Sequence, residues 1–249
     1  MKQILYSQDL SGLVDSISDL PSFPGAIQRA SALVQDPRAS AADLAAVIEI
    51  DPALTARVLR VTNSAFYGLS GQISTVKDGV VVLGFSAVRT LAVAVSAMKM
   101  FTIETSACFN HEQFWMHSAC CAVVAQRLVK RSSFRLADDA FTAALLHDMG
   151  KIVLDQYAHD DFVRLLFVQK KDGRLDTQTE RKLFNTDHAE LGRKLTERWH
   201  LPPSLSQSIG WHHDGLHAAD GKTLAMVSQV ADYICTANGP RVGYRRNTC

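Results

Sequence analysis

The sequence predicts an all-α protein of two helical subdomains, and three observations carry that expectation. Apolar residues recur at mixed three- and four-residue spacing in one segment after another, the period of a helix with one buried face. No segment alternates apolar and polar residues as a half-buried strand does. Proline, glycine and charged stretches punctuate the periodic segments. The 249 residues, 47% hydrophobic and 20% charged, have the make-up of a globular chain with a real core, which excludes disorder, collagen and coiled coil.

The elements follow in order. Residues 12–33 form two helices parted by LPSFP at 20–24, whose two prolines interrupt any helix running through them. Ser40 and Asp43 make a capping box, with Asp in place of Glu, ahead of AADLAAVIEI. Asp51 and Pro52 then serve as N-cap and first helical residue of DPALTARVLRVTNSA. After a turn around Gly68 and Gly71, a start near Ser74 leads into one long apolar helix over 76–100, the expected seam between the subdomains. Its most membrane-like stretch, 79–98, has Arg89 near the middle, where a charge costs about 2.5–3.5 kcal/mol in a bilayer, so the helix is expected to be buried or to face a second subunit. Homodimerisation would cover whatever part of the seam stays open.

MFTIETSACFNHE, at 100–112, loses periodicity and marks the junction, giving an N-terminal subdomain over 1–105, a second over 106–240 and a solvated basic tail over 241–249. The second subdomain resumes with FWMHSACCAVVAQRLVK, LADDAFTAALLHDMGKIVLDQY, HAELGRKLTERW, PPSLSQSIGWHH and TLAMVSQVADYICTA, each an amphipathic helix.

A net charge of +1 supplies no field to draw nucleic acid or anionic lipid, so neither general nucleic-acid binding nor membrane association is expected. Five cysteines, an odd number with no CxxC pair, indicate neither a disulfide framework nor a thiolate zinc site. Cys120 and Cys121 are read as small core residues. The opening MKQILYSQDL has too short an apolar run for a secretory core, and a cytoplasmic location is expected.

The chemistry centres on ALLHDMGK. If the helix continues through it, His147 and Asp148 both reach a cation beside the helix while Lys151, four residues after His147, points toward that cation's ligand. Imidazole and carboxylate suit a divalent metal such as zinc, iron, manganese, nickel or magnesium. The plain alternative is a helix C-terminus ending on Gly150 with a partly protonated histidine. Nine histidines are present. His117 in FWMHSACC, His188 in NTDHAELG, His212 and His213 in GWHHDG, and Asp232 in QVADYI complete the set of interest, whereas His111, His159, His200 and His217 are expected to face solvent.

The order His117, His147-Asp148 with Lys151, His188, His212-His213, Asp232 resembles the metal-dependent phosphohydrolases of the HD superfamily, particularly their HD-GYP phosphodiesterase branch. LPSFPGAIQRASALVQD, DPALTARVLRVTNSAFYG and GVVVLGFSAVRTLAV resemble the HDOD domain, an all-helical HD relative of bacterial signalling proteins, over roughly residues 10–237. The resemblance implies an HD-type helical bundle in the second half. It further implies a first metal held by His117, His147 and Asp232, a second by His188, His212 and His213, and Asp148 as the bridge.

Three departures stand out. Many HDOD domains are implied to have lost several ligands and to act as non-catalytic regulators, whereas this chain retains the set. DGLHAADGKT follows His212-His213, with no Gly-Tyr-Pro, which makes cyclic di-GMP a poor specific expectation. The Glu implied for a third metal is Gln113 here, limiting the expectation to two ions. The leading expectation is a signal-transduction module with a dinuclear site, binding a signalling protein or a small nucleotide-like ligand. The alternative is an active phosphohydrolase or phosphodiesterase in which Asp148 and Lys151 are catalytic.

Overall fold

The computed structural model describes residues 9–17, 25, 29–30, 33, 38–64, 68–69, 71–100, 109–130, 134–172 and 177–238. The LPSFP break, most of the junction before His111 and the basic tail lie outside them. Among the described residues the chain forms helices and no β-strand. The N-terminal half comprises α1 (Leu13–Ser16), α2 (Ala41–Ile48), α3 (Pro52–Thr62), α4 (Val76–Leu83) and α5 (Phe85–Met100). The second half comprises α6 (His111–Val129), α7 (Phe134–Leu146), α8 (Met149–Tyr157), α9 (His159–Asp172), α10 (Thr177–Phe184), α11 (His188–Arg198) and α12 (Pro203–Gly210). A 3₁₀ turn at Gly215–His217 and α13 (Lys222–Asn238) complete it.

Local chemistry sets the helix starts. The Ser40 hydroxyl accepts the Asp43 N–H at 3.3 Å while the Asp43 carboxylate accepts the Ser40 N–H at 2.8 Å, the reciprocal box that opens α2. Asp51 accepts from the N–H groups of Ala53 and Leu54 and Pro52 follows it, so α3 begins as expected. Asn63 at the far end of α3 exchanges hydrogen bonds with the N–H and C=O of Ile73.

The long apolar helix expected over 76–100 is two helices. Gly84 has φ +94°, a backbone that a side chain with Cβ rarely adopts, and it turns α4 into α5. Helical apolar periodicity ran straight across this corner because both helices bury a face. On α5, Val88, Leu91, Ala92, Val93 and Ala97 are buried, whereas Val81 on α4 is 72% exposed. No helix among the described residues is long and apolar enough to cross a membrane.

Helices α2 to α5 pack on one another, and α5 lies against α7. There the Arg89 guanidinium donates to Asp139 at 2.7 Å and the hydroxyls of Thr90 and Thr142 are 3.0 Å apart. Arg89, the charge that argued against a bilayer, is thus paired inside a protein seam. α1 packs instead on α11, where Lys194 and Arg198 donate to the backbone carbonyls of Ser11 and Val14.

One apolar cluster runs from Leu44, Ile48 and Val58 through Val88 to Leu146, Ile152 and Trp199. A second is rich in alanine, with Ala125, Ala140, Ala143, Ala144 and Ala231 joining α6, α7 and α13. Small side chains let these helices approach closely, which brings the polar groups they also carry within reach of one another.

Candidate metal centre

The centre begins at a break in a helix. The segment expected to run unbroken through ALLHDMGKIVLDQY stops at Leu146 and restarts at Met149, with Asp148 at the N-cap of α8. His147 and Asp148 therefore reach the site from a corner instead of one helix face, and Gly150 lies inside the next helix instead of ending the first. The close approach of α11 explains Gly150: a Cβ there would fall 1.9 Å from the His188 carbonyl oxygen. That contact sets the corner directly against the start of α11, where Asp187 caps the helix and His188 is its first residue.

The seven candidate ligands converge from five places in the fold: His117 from α6, the corner, His188, the turn after α12, and Asp232 on α13. They form two groups, His117, His147 and Asp232 with Cys121, and Asp148, His188, His212 and His213. Within the first, His117 Nε2 is 3.1 Å and His147 Nε2 is 3.9 Å from Asp232 Oδ1. Asp148 faces both groups. Its Oδ2 is 3.4 Å from His147 Nε2, and its Oδ1 is 3.3 Å from His188 Nε2 and 3.7 Å from His212 Nε2. Donor atoms bound tetrahedrally to one zinc at 2.0–2.3 Å stand roughly 3.3–3.8 Å from each other, and the separations here, 3.1–3.9 Å, lie within about 0.2 Å of that range.

Three histidines are oriented by oxygen acceptors on the far side of the ring. His147 Nδ1 is 2.7 Å from the Ala144 carbonyl and His212 Nδ1 is 2.6 Å from that of Ile209. His188 Nδ1 is 2.7 Å from Glu180, whose carboxylate also accepts the His188 backbone N–H. Each acceptor fixes a proton on Nδ1 and aims Nε2 inward, the arrangement that carboxylates and carbonyls give to metal-bound histidines. Glu180 is fully buried. Sequence reading missed it, since TQTERKLF gives no sign that this one charge turns inward.

Other placements differ from expectation. Lys151 is buried and donates to Asp148 Oδ2 at 2.6 Å, so it pairs with the carboxylate expected to bridge, not with a ligand beyond it. Cys120, read as a core residue, is exposed; Cys121 is buried in the alanine-rich cluster as expected, and its Sγ also lies 3.3 Å from His117 Nε2. His111 does not face solvent freely. Its side chain is 14% exposed, and Nε2 is 2.8 Å from the buried Asp155, which His159 also approaches at 3.0 Å. His200 and His217 are exposed.

Electrostatics sharpen the asymmetry of the centre. Burial opposes charge on His188, but the Glu180 charge together with the hydrogen bonds to Asp148 and Glu180 outweighs it and lifts the imidazole to about 9. The packing around its ring, then the neighbouring His188, pushes His213 down to about 3 even though the residue as a whole is exposed, and burial lowers His147 and His212. Asp148 is held well below the usual carboxylate range, because His147 and Lys151 outweigh the burial that opposes its ionisation.

A divalent cation pair fits this residue set. His147 Nε2, Asp148 Oδ1 and His212 Nε2 are all buried and have no hydrogen-bond partner among the described residues. Three converging lone-pair donors left unsatisfied in a protein interior cost several kcal/mol in total unless something accepts them, at about 1–3 kcal/mol each. A cation does so, and nitrogen with carboxylate oxygen is the donor chemistry of zinc, iron and manganese.

Residues 20–215 match the HDOD domain family. The fold is similar to that of an HDOD domain protein of unknown function from Geobacter sulfurreducens, with a TM-score of 0.82 and 25% identity, covering 96% of this chain and 81% of that one. It is also similar to a presumed phosphohydrolase from Shewanella amazonensis SB2B, with a TM-score of 0.73 and 27% identity, covering 92% of this chain and 82% of that one. An uncharacterized protein of Treponema pallidum is 24% identical over 211 residues, which span 84% of this chain but only 40% of that relative's length. With four-fifths of its length matched and its helices superposing on a solved member, the chain belongs to the HDOD domain family.

Proposed function

We propose that this chain is an HDOD signal-transduction module whose metal centre hydrolyses a phosphate ester. The observation that carries the reading is Asp148, one carboxylate facing two ligand groups, with its Oδ1 and the Nε2 atoms of His147 and His212 unsatisfied beside it. His117, His147 and Asp232 would hold one divalent ion, His188, His212 and His213 the other, and Asp148 both. Bound cations would supply a water of lowered pKa and Lewis-acid stabilisation of phosphoryl charge.

The chain's own groups define the rest. His117, His147, Asp148, His188 and His212 are buried, whereas His213 is exposed and the Asp232 side chain is 24% exposed. The ester therefore approaches from the side between His213 and Asp232. Lys151 stays charged, since Asp148 and Asp232 outweigh the burial that opposes it, and its ammonium is a fixed positive group for a phosphate oxygen. Glu180 accepts from His188 Nδ1 and so directs Nε2 to the site, where the proton that Nε2 carries without metal would give way to a bound cation.

A purely regulatory reading draws on the Lys151–Asp148 pair, which neutralises the bridging carboxylate without a cation. Elemental analysis of chelator-treated protein reconstituted with manganese, iron or zinc, followed by assays with bis(p-nitrophenyl) phosphate, p-nitrophenyl phosphate and cyclic dinucleotides, separates the two. The hydrolase reading expects about two ions per chain and metal-dependent turnover, both lost in Asp148→Asn. Two ions without turnover on any of these esters would favour the regulator, and full metal content in Asp148→Asn would remove Asp148 as the bridge.

A further inference from the structure

Building on that metal reading, we infer that Cys121 Sγ is a ligand of the cation held by His117, His147 and Asp232, making this a mixed nitrogen, oxygen and sulfur site beside a nitrogen and oxygen site around His188, His212 and His213.

His117 and Cys121 are four residues apart on α6, so their side chains share one helix face. Cys121 is fully buried, and its Sγ belongs to the group of four donor atoms that lie within 4.8 Å of one another. Its 3.3 Å separation from His117 Nε2 is close to the sulfur-to-nitrogen edge of a tetrahedral zinc shell, roughly 3.5 Å. The second observation is independent of the thiol: His147 Nε2, in the same group, is buried with no hydrogen-bond partner among the described residues and is aimed at the same centre. A cysteine serving only as a small hydrophobe has no need to stand among two imidazoles and a carboxylate. In forming the bond the thiol loses its proton to water and donates a sulfur lone pair to the cation, with no change of oxidation state.

The consequence is selectivity. A thiolate favours zinc or iron(II) over magnesium and manganese, whereas the second group, with three imidazoles and Asp148, has no such donor. The two positions would then fill in a fixed order as zinc is added, the Cys121 site first.

X-ray absorption at the zinc edge, on full-length protein loaded with two equivalents of zinc, tests this without any activity assay. The expected spectrum contains a sulfur shell at about 2.3 Å. Cys121→Ser should lose that shell and weaken the tighter zinc site about 10–100-fold, the scale seen when even outer partners of a metal are removed. Cys120→Ser, a change at an exposed neighbour, and Cys235→Ser should both retain the shell. The cobalt(II)-loaded wild type should show a near-ultraviolet thiolate charge-transfer band that disappears in Cys121→Ser. Zinc bound through nitrogen and oxygen alone, or a sulfur shell that survives Cys121→Ser, overturns the assignment of Cys121 and leaves the metal reading standing. Failure of the wild type to bind zinc, iron or manganese overturns both. If Cys121→Ser does not fold, the wild-type spectrum decides, since a chain with no sulfur shell has no cysteine ligand.

Discussion

The two halves of the molecule bury different things. Helices α2 to α5 are held by Leu44, Ile48, Leu54, Val58, Val76, Val80 and Val88, and the charge they bury, Arg89, is paired. Helices α6 to α13 bury His117, His147, Asp148, Lys151, Asp155, Glu180, His188 and His212. Burial of apolar area stabilises the first half at roughly 25 cal/mol per Å². The second half has that gain too, from Phe114, Ile152, Leu154, Phe162 and Trp199 among others, but its buried ionisable groups add little to it, because desolvation offsets much of the pairing energy. The difference teaches that the second half, which shares the apolar cluster with the first through Leu146, Ile152 and Trp199, also carries a cost that a ligand can offset, so metal should stabilise the chain through that half.

Leu44→Ala should break the first half hardest. Leu44 is fully buried, and its truncation should cost about 2–5 kcal/mol in chemical denaturation while the refolded variant keeps its metal content. Loss of metal in proportion to stability would mean that the halves are one energetic unit. Gly150→Ala attacks the other side. With a Cβ 1.9 Å from a backbone oxygen, α8 and α11 must separate, at about 3 kcal/mol, near the top of the range for overpacking. This variant should also lose metal, because the displaced elements carry Asp148 and His188. Gly71→Ala, with no atom within 4 Å of the added carbon, is the matched control and should lose neither.

Glu180→Gln sharpens the comparison further. The amide keeps the shape but removes the carboxylate that orients His188, so metal affinity should fall about 10–100-fold, read by competition with a chromophoric chelator. The apo protein should still fold. An unchanged affinity would show that Glu180 serves packing alone.

Sequence patterns revealed the first half and the candidate ligands more readily than the site's support. Ser40 with Asp43 and Asp51 with Pro52 were readable because a cap is made by residues within one turn of each other. The seven candidate ligands were readable through their order along the chain, which a resemblance could supply. The corner at His147-Asp148 was hidden because LLHDMGK has helical periodicity on both sides, and the break depends on α11 approaching Gly150 from 38 residues away in sequence. Glu180 and Asp155 were hidden for a related reason: each is one charge on an otherwise amphipathic helix, and only tertiary packing turns it inward. Cys121 is the buried core residue its alanine-rich helix indicated, whereas Cys120, read the same way, is exposed, because adjacent helical positions point about 100° apart.

The smallest expected effect compares like with like. Ser40 caps α2 in the apolar half, and Asp187 caps α11 in the polar half by accepting the Glu190 N–H at 2.8 Å. Removing either cap should cost about 1 kcal/mol, because each leaves orphan backbone donors at a helix start. Ser40→Ala should do nothing more. Asp187→Ala should also lower metal affinity, since the capped helix begins at His188 and the freed turn lets that imidazole move relative to Asp148. Asp187→Ser, which restores a capping oxygen but not the pairing with Arg181, should recover the metal affinity if the cap is what matters. Equal metal binding in Ser40→Ala, Asp187→Ala and wild type would mean that His188 is held by Glu180 and Gly150 without help from its own helix start.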